Sequence, residues 1–154
     1  MQRTLVLVKP DAIQRELAGT VISAIERKGL KIVGMKMTVL TDEILRAHYS
    51  HIADKPFFAN IRNFMMSTPV IAVAVEGIDA VQTVRRVSGI TLAREADAGT
   101  VRGTMAMSIQ CNLIHASDSV EVAETEIKRF FEPSELFTYS KVLDQFIYAP
   151  GEGK

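Results

Sequence analysis

Four short runs of apolar residues along this chain have the character of β-strands. Thr4 to Val8 is partly β-branched and is ended at once by Lys9-Pro10-Asp11. Leu30 to Leu40 alternates between two faces, whereas Val70 to Val75 is apolar at almost every position. The pattern predicts a first strand, a second strand with one solvated face and a central strand covered on both faces. The short run Asn112 to Ala116 predicts a fourth strand.

The stretches between these strands carry apolar residues at helical spacing. By contrast, Ile90 to Gly103 has no clean periodicity and is predicted to be a long irregular loop. Thr41 is a suitable N-terminal cap for one helix, and Gly89 is a suitable C-terminal cap for another. The predicted helices run from after Gly19 to Lys28-Gly29, from Thr41 through Tyr49, from Lys55 through Met66, from Ile78 to Val87, and from the turn at Asp118 through Phe131.

The order of the main elements is strand, helix, strand, strand, helix, strand and a final helix. This order predicts an α+β fold of the ferredoxin-like, split β-α-β type, with a four-stranded antiparallel sheet covered by helices. The remaining helices and the long loop are then insertions. A length of 154 residues suits a single domain over 1–154, and the last residues, about 149–154, are predicted to form a short flexible tail.

Charge and cysteine content narrow the possible partners. The 18 basic and 18 acidic residues cancel, so no overall field attracts the chain to nucleic acid or to an anionic membrane. Cys111 is the only cysteine, which excludes an internal disulfide, and no apolar run approaches the length of a membrane span. The N-terminal apolar run is too short for a secretion signal. We therefore predict a cytoplasmic protein with no membrane partner and no specific nucleic-acid partner.

The most informative stretch is Asn112-Leu-Ile-His115-Ala-Ser-Asp-Ser119, which has the pattern of a strand, a tight turn and a helix. Asp118 is predicted to cap this helix, with Glu121 reaching back in a capping box. His115 then lies at the end of a strand and faces the start of the helix. The partly positive end of that helix is suited to hold a phosphate near His115.

Glu126 is the predicted partner of His115. Three extended residues lead from His115 to Asp118 and eight helical residues lead on to Glu126, so the two distances nearly cancel if the helix folds back on its strand. A buried carboxylate then holds one ring nitrogen and leaves the other as a free lone pair. Such an imidazole, with an ordinary pKa of about 6.5, can act as a nucleophile. The alternative is a satisfied core histidine and a solvated glutamate.

Other candidates rest on weaker signals, and each has an ordinary structural explanation. Lys9 ends a strand, where its ammonium can meet phosphate or simply solvent. Phe57-Phe58 cannot both face one core stripe, so one of them is a candidate platform for a planar ligand, although both can also pack in the core from two directions. Arg85-Arg86 lies in the last turn of a helix, where it also complements the helix dipole. Arg102 lies between Gly99 and Gly103 in the irregular loop.

Together these motifs resemble a known family. The nucleoside diphosphate kinases have similar motifs in the same order and spacing, and the likeness covers about Arg3 to Tyr148. In that family a histidine takes the γ-phosphoryl group of a nucleoside triphosphate and passes it to a nucleoside diphosphate, which maintains NTP and dNTP pools. The resemblance implies the same ping-pong reaction through a phosphohistidine at His115. The matching motifs are Lys9-Pro10-Asp11, His48-Tyr49, Pro56-Phe57-Phe58, Gly99-Thr-Val-Arg102-Gly103, Asn112 to Ser119, and Glu126.

The resemblance also implies roles for individual side chains. Because Phe57 would stack on the base, and stacking tolerates any base, it predicts broad nucleotide specificity. No acidic cluster resembles a metal cage, so Mg²⁺ is expected on the phosphates of ATP and other nucleotides. Hexamers and tetramers both occur in this family, so a homo-oligomer is implied, with a hexamer favoured. The implied catalytic residues are His115 as carrier, Glu126 as its orienting partner, Ser117, Lys9 and Tyr49; the implied nucleotide-binding residues are Lys9, Phe57, Arg85, Thr91, Arg102 and Asn112.

Three positions depart from the family pattern. Ala116 stands where many members have glycine. Thr91-Leu92-Ala93 replaces a Thr-Asn-Pro pattern, and Thr104 replaces an aspartate after Gly103. The last two departures lie in or beside the irregular loop, where they bear on the role of Thr91 and on subunit contacts.

A binding module on the same fold, nucleotide-sensing or nucleic-acid-binding and without turnover, is the main alternative. An RNA-recognition module would carry aromatic residues on its central strands, and Thr4 to Val8 and Val70 to Val75 contain none. A P-loop kinase is excluded, because no G-x-x-x-x-G-K-[ST] motif occurs.

Overall fold

A computed structural model describes residues 1–152 of the chain. Residues 153 and 154, the end of the predicted flexible tail, lie outside the described residues. Four antiparallel strands form one sheet in the order β2, β3, β1, β4. The order confirms the predicted ferredoxin-like α+β fold. The strands are Gln2–Val8 (β1), Lys31–Thr38 (β2), Val70–Gly77 (β3) and Ile114–Ala116 (β4).

Helices cover both faces of the sheet. They are Pro10–Gln14 (α1), Ala18–Arg27 (α2), Asp42–His48 (α3), Phe58–Met65 (α4), Ala80–Ser88 (α5), Val101–Met105 (α6) and Val120–Phe130 (α7). There are also three short 3₁₀ segments among the described residues. Ala93–Glu95 lies between α5 and α6, and Pro133–Glu135 and Val142–Phe146 come after α7. None of the helices in residues 1–152 combines the length and the apolar character needed to cross a bilayer.

Two local predictions are wrong, and one helix was not predicted. The fourth strand begins at Ile114 and not at Asn112, because Leu113 has a φ of 72° that cannot continue a strand. α1 was not predicted, and it begins at once after β1 because Pro10 fits the first helical position. Part of the expected irregular loop is α6, whose N-cap Thr100 accepts a hydrogen bond from the backbone N–H of Gly103 at 3.0 Å.

The two central strands alternate between two apolar clusters. Val6 and Val8 of β1 pack with α2 and α5, while Leu5 and Leu7 pack on the other face with α3, α4 and α7. All four side chains are at most 1 % exposed. Each contributes about 1.5–3 kcal/mol of burial free energy, so the C-terminal end of β1 is a firm base for the groups beyond it.

After α7 the chain returns to the edge strand β2. The backbone N–H of Phe137 donates to the carbonyl of Val33 at 2.7 Å, and the hydroxyl of Tyr139 donates to the carbonyl of Ile32 at 2.6 Å. These contacts lie near the bulge between Ile32 and Gly34. The C-terminal segment therefore covers the free edge of the first half of β2.

Candidate active site

A cleft of about 1300 Å³ opens beside the ends of β1 and β4. Its walls come from the connection between α3 and α4, the end of α5, the segment around α6, and α7. Ser117 does not line the cleft and is fully buried behind it. All the other sequence-predicted site residues line it: Lys9, Tyr49, Phe57, Arg85, Thr91, Arg102, Asn112, His115 and Glu126.

His115 has one ring nitrogen occupied and one open. α7 folds back along β4, and the carboxylate of Glu126 lies 3.1–3.2 Å from Nε2. An ionised carboxylate only accepts hydrogen bonds, so Nε2 carries the proton and Nδ1 keeps its lone pair. Nδ1 has no hydrogen-bond partner within residues 1–152. The predicted distance match between the strand and the helix is therefore correct, and the imidazole keeps one nitrogen with a free lone pair.

Glu126 is held in its charged form by its neighbours. It is 4 % exposed, and the hydroxyl of Ser117 donates to its Oε2 at 2.6 Å. Burial alone would raise the pKa of this carboxyl, but the hydrogen bond and charge of His115, with His48 and Ser117, lower the pKa below its ordinary value. A fixed negative charge therefore stands behind the His115 ring, where it stabilises any positive charge that the ring acquires.

His48 is a member of this cluster that the sequence reasoning did not assign. Its Nδ1 lies 3.4 Å from Oε1 of Glu126 and 3.2 Å from a guanidinium nitrogen of Arg129. Its ring centroid is 4.4 Å from that of His115, in an edge-to-face arrangement. Burial, followed by the neighbouring charge of His115, lowers the pKa of His48 to about 3. His48 is therefore an uncharged side chain that packs against both Tyr49 and His115.

The turn before α7 differs from the prediction. Ser119 is the N-cap, since its side chain accepts a hydrogen bond from the backbone N–H of Val122 at 3.2 Å. The predicted cap Asp118, and the capping box with Glu121, are therefore wrong. The carboxylate of Asp118 instead pairs with the guanidinium of Arg85 across the mouth of the cleft.

The ammonium of Lys9 is directed into the cleft from the start of α1. It donates to Oδ1 of Asn112 at 2.7 Å and to the carbonyl of Gln110 at 2.5 Å. Burial lowers the pKa of Lys9 to about 8, with the charge of Arg102 acting in the same direction and Asp11 opposing it. The amide of Asn112 donates in turn to the carbonyl of Thr91 at 2.9 Å. This chain of bonds orients Lys9 and joins the loop of Thr91 to β4.

The two arginines lie in different surroundings. Arg85 is half-exposed at the mouth of the cleft, as expected for a group that meets a ligand. Arg102 is buried, and its guanidinium donates to the carbonyls of Gly89 at 2.6 Å and Ile114 at 2.7 Å. Burial, followed by the charge of Arg85, lowers the pKa of Arg102 to about 10. Arg102 therefore fixes the backbone of the site as well as adding positive charge to it.

The aromatic residues divide as the sequence suggested. Phe58 packs in the core, whereas Phe57 is 51 % exposed and lines the cleft. Burial, followed by the charge of Glu126, raises the pKa of Tyr49 to about 12, so its hydroxyl remains a proton donor. Ile109 also lines the cleft with a largely exposed side chain and was not singled out. The only sequence signal for it is an isolated apolar residue in a polar stretch.

Among residues 1–152, one cluster of metal-ligating side chains comes together, namely His48, His115 and Glu126, with one ligand atom of each within 4.8 Å of the others. Two nitrogens and one carboxylate are a poor match for Mg²⁺, which prefers oxygen ligands. Asp118, an exposed carboxylate that lines the cleft, is paired with Arg85.

Comparisons with known proteins identify the family to which this chain is similar. The family model for nucleoside diphosphate kinase matches residues 2–136. A nucleoside diphosphate kinase of Parabacteroides distasonis is 50% identical over 139 residues, which cover 90% of this chain and 91% of the relative. One of Pyrococcus horikoshii is 47% identical over 148 residues, with 94% of each chain covered. The solved nucleoside diphosphate kinase of Halobacterium salinarum in complex with CDP has a TM-score of 0.92 and 40% identity, covering 96% of this chain and 98% of that one.

Proposed function

Because the chain belongs to the nucleoside diphosphate kinase family, it is a phosphotransferase that moves phosphoryl groups between nucleotides, and we propose that His115 carries the group. Nδ1 of His115 attacks the γ-phosphorus of a nucleoside triphosphate. A phosphorus–nitrogen bond forms, the bond to the bridging oxygen breaks, and the nucleoside diphosphate leaves. A terminal oxygen of a second nucleoside diphosphate then takes the phosphoryl group, and the imidazole returns to its starting state.

The observation that carries this proposal is the pairing of His115 with Glu126. The carboxylate holds the proton on Nε2, so that the lone pair of Nδ1 faces the cleft. It also stabilises the positive ring that phosphorylation creates. Lys9, Arg85 and Arg102 supply positive charge to the same cleft, where the charge of the transferred group develops.

We assign the rest of the cleft to the nucleotide. Phe57 offers an exposed ring face to the base, and stacking on a ring face tolerates different bases. The relative from Halobacterium salinarum was solved in complex with CDP. Tyr49, Thr91 and Asn112 supply polar groups for the ribose and phosphates. Magnesium bound to the phosphate oxygens would neutralise charge and align the polyphosphate.

The test is transfer of label from γ-labelled ATP with Mg²⁺. Wild-type protein should form an acid-labile phosphoprotein and discharge it onto GDP or CDP. His115→Asn should take no label, whereas His51→Asn, which changes an exposed histidine of the α3–α4 connection that also lines the cleft, should still take label. Label that persists in His115→Asn would place the carrier elsewhere. Nucleotide binding without any labelling would favour a binding module.

We also propose a homo-oligomer, with a hexamer favoured over a tetramer by the family resemblance. On the edge strand β2 and just after it, Met35, Met37 and Val39 are 54 %, 59 % and 62 % exposed, which makes this edge a candidate subunit contact. Light scattering should give a multiple of the monomer mass for wild type and a smaller species for Met37→Lys. Gln82→Lys, on an exposed site of α5, is the matched control. An unchanged mass for Met37→Lys would rule out this contact.

We place the enzyme in the cytoplasm, where it would maintain NTP and dNTP pools. The exposed thiol of Cys111 suits a reducing compartment. Cell fractionation with an antibody to the chain tests this location, and recovery outside the cytoplasmic fraction would contradict it.

A further inference from the structure

The backbone around Leu113 breaks the alternation of a β-strand. In a regular strand successive side chains point to opposite faces, so Asn112 and His115, three residues apart, would face opposite sides. Both nevertheless line the same cleft, and the adjacent residues Leu113 and Ile114 both pack in one apolar cluster. The site therefore depends on a local reversal between Asn112 and His115.

A γ-turn produces this reversal. The N–H of Ile114 donates to the carbonyl of Asn112 at 2.9 Å, and Leu113 at the centre of the turn has a φ of 72°. A γ-turn with positive φ is strained, and a leucine does not relieve the strain as glycine would. Such a conformation persists only where its surroundings hold it.

Asp11 supplies a contact that holds the turn. Its Oδ2 accepts a hydrogen bond from the N–H of Leu113 at 3.0 Å, within buried surroundings. On the other side of the turn residue, the N–H of Lys9 donates to the carbonyl of Leu113 at 2.9 Å. Residues at the corner between β1 and α1 therefore form hydrogen bonds with both peptide groups of Leu113. The second oxygen of Asp11, Oδ1, is buried without a hydrogen-bond partner within residues 1–152. Among these residues, the N–H of Leu113 is therefore the only hydrogen-bond partner of this carboxylate.

We propose that Asp11 is a positioning residue for phosphoryl transfer: it holds the Leu113 γ-turn that brings Asn112 and His115 to the same wall of the cleft. The proposal rests on the role of His115 as phosphoryl carrier. It assigns Asp11 no contact with the nucleotide. Its effect is indirect, because it acts through the backbone on the positions of Asn112 and His115. These positions determine how the imidazole meets the phosphorus, and small misplacements lower the rate strongly.

A second role for Asp11 must be separated from this one. Its charge raises the pKa of Lys9, so a loss of activity on substitution could act through the lysine. Two variants divide the roles. Asp11→Asn keeps an acceptor oxygen at the same distance and removes the charge. Asp11→Glu keeps the charge and moves the acceptor by one methylene.

The experiment measures the rate of His115 labelling by γ-labelled ATP in a single turnover, and the exchange of the Leu113 amide proton in the free protein. We expect Asp11→Asn to label within about threefold of wild type with protected Leu113. Asp11→Glu and Asp11→Ala should label about tenfold or more slowly and exchange Leu113 faster. Val75→Ala, a core substitution away from the cleft, controls for loss of stability and should label at the wild-type rate.

The outcomes separate the two proposals. Equal rates for Asp11→Glu and wild type, or an Asp11→Asn as slow as Asp11→Glu, would overturn the positioning role. Both variants keep a polar side chain with an acceptor oxygen, so the comparison does not depend on whether Asp11→Ala folds. Wild-type protein that takes no label would overturn the carrier role of His115 instead, and amide exchange would still report whether Asp11 holds the turn.

Discussion

At the scale of single residues, the chemistry of His115 depends on which of its two nitrogens the protein occupies. Glu126 takes Nε2 at 3.1 Å and is itself fixed by Ser117, so the ring can neither flip nor change its tautomer without breaking a buried contact. In the proposed mechanism the ring becomes positive once it carries a phosphoryl group. The carboxylate would then stabilise the intermediate more than the free enzyme, which would favour transfer.

Replacing Glu126 by Gln tests this arrangement directly. The amide keeps the size of the side chain but removes the charge, so the rate of His115 labelling should fall by about 10- to 1000-fold. Rapid-quench labelling with γ-labelled ATP measures this rate. Glu124→Gln, two residues earlier and exposed on the same helix, should label normally. A wild-type rate in Glu126→Gln would mean that orientation alone, without charge, suffices.

At the scale of elements, α7 determines where this carboxylate lies, and its start is fixed by Ser119. Both Asp118 and Ser119 are good capping residues in the sequence. Ser119 is the cap, while Asp118 pairs with Arg85, which is 33 residues away. A local pattern predicts that a cap exists in this turn but cannot assign it, because the competing partner is brought by the tertiary fold.

The cap assignment predicts different stabilities for two neighbouring substitutions. Ser119→Ala should lower the free energy of unfolding by about 0.5–2 kcal/mol, because the N–H of Val122 loses its acceptor. Asp118→Ala removes an exposed ion pair and should lower it by about 1 kcal/mol or less. Urea denaturation of the two variants measures both values. A larger loss of unfolding free energy for Asp118→Ala than for Ser119→Ala would indicate that Asp118 is the cap.

The difference between local patterns and tertiary contacts explains which features could be predicted from the sequence. The four strands, the main helices and the pairing of His115 with Glu126 follow from local periodicity and spacing. The γ-turn at Leu113 does not, because leucine disfavours positive φ and the carboxylate that holds the turn lies 102 residues earlier. Nor does the contact of His48 with Glu126, which joins α3 to α7 across the fold.

At the scale of the whole molecule, the buried cluster beside the cleft links stability to pH. His48 has a pKa of about 3 in the folded protein, against an ordinary value of 6.5. Between these values the unfolded chain binds a proton that the folded chain does not. Stability therefore rises with pH across this window and is lost on acidification from about pH 6.5 towards pH 3.

Replacing His48 by Gln should flatten this dependence. The loss of unfolding free energy between pH 6.5 and pH 4 should be smaller in the variant than in wild type, by up to about 3 kcal/mol. Urea titrations at a series of pH values measure the two slopes. His51→Gln, an exposed histidine three residues on, removes only the smallest of the influences that lower the pKa of His48 and should keep most of the wild-type slope. Equal slopes for His48→Gln and wild type would mean that His48 does not remain neutral in the folded state.

The bonds that join Lys9 to Asn112 and Asp11 to Leu113 span 103 and 102 residues. A chain emerging from the ribosome therefore exposes β1 and its lysine long before β4 is made, with nothing yet to complete the cleft. The nascent protein can acquire catalytic competence only after β4 and α7 have emerged and closed this long loop. A ribosome stalled before β4 should carry an inactive chain, and the late closure predicts slower folding than local contacts would allow.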